Sequence, residues 1–333
     1  MKKDPDNLII GNQSILMGER KRVELNLATL FDYTELKIPV EIIRSKKRGP
    51  VLFVSAAIHG DELNGVEIVN RLSKRISVNK LTGTLILVPV VNVFGFNNKS
   101  RYLPDRRDLN RSFPGSKHGS LASRIAYIFI KEIVNKSTHG IDLHTAAIHR
   151  TNLPQVRAYL DNVETRSLAA SFAAPVVLDS RLRDASLREA ARKKGVKTLL
   201  FEGGEALRHD EKVIKIGLAG CLRVMKSIGM LSSAKPVSVK KSIIAKSSEW
   251  LRAPHGGTIR SLRRVGEFIK KGDVLGSVTN LFGNDNYEII AENSGVIIGA
   301  ITMPLVNKGD AVFHIALFKS PKKEVLAVQE WDS

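Results

Sequence analysis

Apolar side chains dominate residues 51–58 (Val-Leu-Phe-Val-Ser-Ala-Ala-Ile), and the run stops at His59-Gly60. A short apolar run closed by a polar turn predicts a strand buried on both faces, as in parallel sheets. Residues 62–75 then read as a helix, and 83–91 (Gly-Thr-Leu-Ile-Leu-Val-Pro-Val-Val) is a second apolar run. Strand, helix and strand in that order predict a βαβ unit with parallel strands. The alternation resumes with a helix over 121–136, a strand at 140–144 ending in His144, a helix over 162–173 and a strand at 175–178. A helix over 185–194, a strand at 197–201 terminating in Glu202 and a helix over 210–228 complete it. Alternating segments at 22–27 and 36–43 predict edge strands within the first 48 residues. Between 92 and 119 periodicity lapses into a stretch rich in Asn, Arg, Gly and Pro, a long loop of the kind that is usually functional.

Ser, Pro and Lys dominate 231–241, where the alternation ends, which predicts one domain over 1–232 and a second over 233–333. The second is all-β in pattern and repeats internally. Lys271-Gly-Asp273 recurs as Lys308-Gly-Asp310, and the Gly257 turn recurs at Gly295. Two like halves suit a small barrel.

The chain has 333 residues, 43% hydrophobic and 26% charged, as expected of a globular protein with a full core. No apolar run approaches the ~18 residues a membrane helix needs, and the opening Lys2-Lys-Asp-Pro lacks a secretory core, so a cytoplasmic location is expected. The single cysteine, Cys221, excludes an intrachain disulfide and a thiolate zinc site. A net charge of +19 raises nucleic acid as a partner, but the basic residues are scattered and aromatics are only 6%, so neither nucleic acid nor a membrane is expected. Attraction of small anionic substrates is the milder consequence. Homo-oligomerisation is left open.

Three strand ends thus deliver His59 with Glu62, His144 and Glu202 to one sheet edge, where the loops of open α/β sheets bind ligands. Two histidines and a carboxylate are the set that catalytic zinc uses when one position stays open. His59, Glu62 and His144 would supply it, with Glu202 as the acid/base that moves the proton. Arg101, Arg106 and Arg107 are candidates to face a developing oxyanion. Asn110 and Arg111 suit a substrate carboxylate, and Asp142, two residues before His144, would accept its second N–H. A Gly-x-Ser-x-Gly elbow, a Walker sequence and a strand-borne Gly-x-Gly-x-x-Gly are all missing, which argues against serine hydrolases and nucleotide enzymes.

Taken in order, His59-Gly-Asp-Glu62, Asp108-Leu-Asn-Arg-Ser-Phe-Pro-Gly115, Asp142-Leu-His144 and Phe201-Glu202-Gly-Gly resemble the succinylglutamate desuccinylase/aspartoacylase family of the zinc carboxypeptidase superfamily. The resemblance spans 45–230 and continues into the C-terminal module. It implies an α/β/α fold around a mixed sheet, and one zinc ion on His59, Glu62 and His144. It further implies Glu202 as general acid/base, with Asn110 and Arg111 on the substrate carboxylate. Arg101, or else Arg107, would polarise the carbonyl. Such enzymes hydrolyse the amide of small N-acyl amino acids. The C-terminal module is more similar to a biotinyl/lipoyl-type barrel, but its hairpin at 281–287 carries no lysine to modify. Two other readings compete: a metallocarboxypeptidase acting on peptides, and a non-catalytic binding protein on the same fold.

Overall fold

The computed structural model describes residues 8–232 and 241–318. After a small hairpin of Leu8–Ile10 and Gln13–Ile15, the main strands of its first part are β1 (Arg20–Thr29), β2 (Glu35–Arg44), β3 (Val51–Ala56), β4 (Thr84–Val88), β5 (His139–Ala146), β6 (Arg150–Ala158), β7 (Val176–Asp179) and β8 (Lys197–Glu205). Its main helices are α1 (Asn64–Arg75), α2 (Leu121–Glu132), α3 (Val163–Phe172), α4 (Leu187–Lys193) and α5 (Glu211–Ser227). Across the sheet the order is β1-β2-β4-β3-β5-β8-β6. The pairs β4–β3, β3–β5 and β5–β8 are parallel, whereas β2–β4 and β8–β6 are antiparallel. The chain leaves β3 for β4 on one side and returns to β5 on the other. That reversal of winding opens a crevice beyond the carboxyl ends of β3 and β5.

Side chains alternate across a strand, so an apolar run with both faces covered must feed two cores. Leu52 and Val54 join Ile68, Leu72, Phe172 and Leu218 beneath α1, α3 and α5. Phe53 points the other way, to Ile86, Ile125, Phe129 and Leu187 beneath α2 and α4. The result is the expected α/β/α arrangement around a mixed sheet.

Several element bounds differ from the sequence reading. α1 begins at Asn64, so Glu62 lies in the turn ahead of it, where Glu62 N bonds His59 O. The stretch 92–119 is not all loop, because Asn92 caps a short helix over Val93–Asn98 and a 3-10 turn spans Leu109–Arg111. β8 continues past Glu202 to Glu205 through an irregularity in its pairing. His139 opens β5 instead of preceding it, but stays at the far end of that strand beside Thr138. β6 lies where the sequence pattern predicts no strand. Its Pro154 disguises it, since proline cannot donate to a ladder, and here it sits where the register to β8 shifts between Glu202 and Gly204.

The C-terminal part is β throughout: β9 (Ile243–Ala245), β10 (Ser247–Arg252), β11 (Gly257–Ser261), β12 (Val274–Thr279), β13 (Asn286–Ile290), β14 (Gly295–Ile301) and β15 (Ala311–Leu317). β11, β12 and β13 form a second antiparallel sheet, and the two layers enclose Leu251, Ile259, Leu275, Val278, Ile297 and Phe313. β14 pairs with the start of β6, β15 with β14 and β10 with β15, which extends the main sheet to 13 strands among the described residues. The repeat has a structural counterpart. Asp273 accepts from Lys270 N and Asp310 from Asn307 N, across glycines at φ +91° and +90°. The segment expected to divide the two parts, 231–241, falls largely on 233–240, outside the described residues. No described helix is long and apolar enough to cross a membrane.

Candidate active site

The loops that leave β3 and β4 are bonded to each other, Val91 N to Ala56 O and Asn92 N to Ala57 O. Gly60 packs directly on the short helix that follows: a Cβ there would lie 1.9 Å from Gly95 C. This contact brings the His59 turn and the 92–111 segment to one place.

In the tight turn, His59 and Glu62 project together. His59 Nδ1 lies 2.7 Å from Glu62 Oε1, and His144 Nδ1, from the end of β5, lies 2.8 Å from Glu62 Oε2. Thr145 N donates to the same Oε2 at 3.0 Å. All three side chains are buried, and one ligand atom from each lies within 4.8 Å of the others, a grouping fit to hold a metal ion. Each imidazole is braced from behind: His59 Nε2 by Asp108 Oδ1 at 3.1 Å, and His144 Nε2 by Asp142 Oδ2 at 2.7 Å. Such backing fixes the orientation of each ring and aims its Nδ1 at the cluster, where that nitrogen can serve as a ligand once its proton is displaced. Asp142 is itself held by Ser55 Oγ at 2.8 Å.

Electrostatics agree with the geometry. Burial alone would raise the Glu62 carboxyl, but His59 and then His144 hold it well below the usual carboxylate range. Burial would keep His144 neutral, yet Asp142 and Glu62 outweigh it and set its pKa well above the ordinary imidazole value. His59 is raised too, burial being overcome by Glu62 and Asp108. A concentration of negative charge around paired imidazoles attracts a cation, and nitrogen and oxygen donors in this number suit zinc.

Around the cluster lies a cavity of about 310 Å³. Glu202 lines it from β8, where it pairs in register with His144, so the two come from neighbouring strand positions. Arg101 lines it as well, with Nη1 3.2 Å from His59 Nδ1 and Nη2 2.9 Å from Asp108 Oδ2. Arg106 and Arg107 are outside the lining, and Arg107 is exposed beside Asp105. Asn110 uses Oδ1 to accept from Leu187 N, which leaves its Nδ2 as the available donor. The Arg111 guanidinium is steadied by Asn110 O at 2.6 Å. A roomier surface groove of about 670 Å³ between β1 and α2 brings together no comparable donor set among the described residues.

Residues 48–228 match the family model of the succinylglutamate desuccinylase/aspartoacylase catalytic domain. The chain belongs to this family of deacylases. A curated relative, the N-alpha-acetyl-L-2,4-diaminobutyric acid deacetylase of Halomonas elongata, is 27% identical over 295 residues, covering 84% of this chain and 85% of the relative. Among solved structures, the product-bound ectoine utilization protein of Ruegeria pomeroyi superposes with a TM-score of 0.82 at 23% identity, over 90% of this chain and 95% of that one. The succinylglutamate desuccinylase/aspartoacylase of Rhodobacter sphaeroides gives 0.80 at 22% identity, over 91% and 98%. These likenesses extend the shared fold through the C-terminal β region.

Beyond the family motifs, the cavity contains residues the sequence reading passed over. Arg150, Asn152, Arg157, Arg183, Arg188 and Trp250 all line it. Trp250 comes from β10 and stacks on buried His314, ring centroids 4.2 Å apart, while the Arg150 guanidinium lies 5.3 Å from the Trp250 centroid. Asp108, at the head of the Asp108–Gly115 motif, ties His59, Arg101 and Asn110 N together, a role the motif alone does not reveal. The one available signal was its position two residues before Asn110, the spacing at which an aspartate caps a turn. Arg157 Nε and Arg188 Nη1 are buried and have no hydrogen-bond partner among the described residues. Burial, and after it Arg157, pushes the Arg188 pKa down to about 10.

Proposed function

We propose that this chain is a zinc-dependent hydrolase that cleaves the amide of a small, anionic N-acyl amino acid. The observation that carries the reading is the buried His59–Glu62–His144 cluster opening on an arginine-lined cavity that also holds Glu202. A zinc ion on that cluster would supply a Lewis acid and acidify water enough for attack at neutral pH. Glu202 takes the proton of the attacking water and returns it to the amide nitrogen as the carbon–nitrogen bond breaks, leaving a carboxylate and a free amine. Arg101 presents a guanidinium to the carbonyl oxygen as negative charge builds on it. Asn110 Nδ2 and Arg111 hold the amino-acid carboxylate.

Six arginines line the cavity: 101, 111, 150, 157, 183 and 188. Buried donors without acceptors, as on Arg157 and Arg188, are costly unless a ligand satisfies them. Of the acids that line it, Glu62 is engaged by both histidines, and Glu202 meets Asn152 and Arg157 through Oε2 alone, so guanidinium outnumbers carboxylate six to two in the lining. That excess of positive charge favours an acidic amino-acid or acyl group, and N-acetyl-diaminobutyrate, the substrate named for the Halomonas relative, is the competing candidate. A cavity of about 310 Å³ walled by Trp250 favours such small molecules over peptides.

The test is hydrolysis by the zinc-loaded chain of a panel of N-acetyl and N-succinyl amino acids, with short peptides and N-acetyl-diaminobutyrate included. Acidic acyl amino acids should give the highest kcat/KM, and Glu202→Gln should lower kcat by about 10²- to 10⁴-fold. Substoichiometric zinc together with unchanged activity in the variant would sink the proposal in favour of a binding protein. Preference for peptides would favour the carboxypeptidase.

A further inference from the structure

Glu202 is held in a way that leaves one oxygen idle. Its Oε2 accepts from Asn152 Nδ2 at 2.7 Å and lies 3.2 Å from Arg157 Nη2, while Oε1 has no partner among the described residues. Both donors come from β6, antiparallel to β8. Residues 152 and 157 are five apart and would face opposite sides of a regular strand. The register shift opposite Glu202–Gly204, with Pro154 inside it, turns both to the same carboxylate. A bulge of this sort re-aims side chains near a site.

Asn152 is in turn backed by the C-terminal region. β14 pairs Gly299 with Asn152, and a Cβ on Gly299 would approach Asn152 Oδ1 to 2.8 Å. A Cβ there would oblige the Asn152 amide to shift, whereas the bare backbone leaves it in place between β14 and Glu202. We propose that the C-terminal β region acts on the reaction through Gly299, which keeps Asn152 in place and so holds Glu202 by Oε2 with Oε1 free for proton transfer. Asn152 and Gly299 are positioning residues. The inference rests on the proposed role of Glu202, but the placement of its carboxylate can be measured without it.

A double-mutant cycle on the zinc-loaded full chain tests the idea. Asn152→Ala should lower kcat about tenfold or more, leave KM within about twofold and displace the pH profile of kcat. Gly299→Ala should cost about tenfold in kcat where Asn152 is present and less than about twofold in the Asn152→Ala background, because the atom it displaces is gone. Equal losses in both backgrounds, or an unchanged kcat in Asn152→Ala, would overturn the proposal. If Gly299→Ala alone fails to fold, recovery of folding in the double variant supports the contact and continued failure refutes it. Crystal structures of the single variants give a reading that needs no substrate. A Glu202 carboxylate unmoved in both refutes the positioning role even if the chain hydrolyses nothing in the panel, whereas a moved carboxylate in an inactive chain leaves the proposed function alone in error.

Discussion

Exchanging Asp142 for asparagine keeps the shape of the side chain and removes its charge, at the one group that braces His144 from behind. The carboxylate is fully buried, with Oδ2 2.7 Å from His144 Nε2 and Oδ1 receiving Ser55 Oγ at 2.8 Å. A hydrogen bond to a charged partner contributes about 1.5–3 kcal/mol and a neutral one about 0.5–1.5, so the exchange forfeits about 1–2 kcal/mol of support for the metal-facing imidazole. That loss equals about 5- to 30-fold in a dissociation constant, which overlaps the lower part of the 10- to 100-fold range typical of residues that back a metal ligand. The assay is zinc competition against a chromophoric chelator at fixed pH, with urea unfolding of the metal-free chain alongside. Zinc affinity should fall by about that factor. His139→Gln, on the same strand but beside Thr138 at its far end, should leave affinity unchanged. A zinc Kd for Asp142→Asn within about twofold of the parent would show that the brace does not matter, and the account of the ligand geometry would have to be withdrawn.

Other consequences are open to measurement. Gly60→Ala drives a Cβ into the backbone at Gly95, so it should cost about 3 kcal/mol or more in urea unfolding and reduce zinc content, whereas relief by small shifts would leave both near normal. Arg101→Ala should lower kcat far more than it raises KM if the guanidinium meets the developing charge, and a pure KM effect would assign it to substrate binding instead. His314, buried and facing Arg157 and Arg183, has its pKa driven down to about 3, burial being the chief cause. Below its unfolded value of about 6.5 the unfolded chain binds the proton and the folded chain does not, so stability falls as pH drops from about 6.5 toward 3. Between pH 7 and 5 this amounts to about 2 kcal/mol, which His314→Leu should erase from the pH dependence of unfolding; identical slopes in both proteins would contradict it.

Local order could be read from the chain because it is repeated along the chain. The apolar run through Leu52, Phe53 and Val54 had to alternate between two cores, and the turn after it had to carry His59 and Glu62 on the same side. The apolar strands likewise pointed to His144 and Glu202 at one sheet edge, although both strands run on, to Ala146 and Glu205. The sequence pattern failed where an element was short or broke its own rule, as in β6, whose Pro154 is tolerated only because the register shifts around it. It also failed for every partner set by pairing between distant strands. That Asp108 braces His59 across 49 residues, that Asn152 holds Glu202 across 50, and that Trp250 stacks on His314 at the cavity wall are outcomes of strand order and register. Periodicity fixes which way a side chain points within its own element, but only the assembled sheet decides what it meets there.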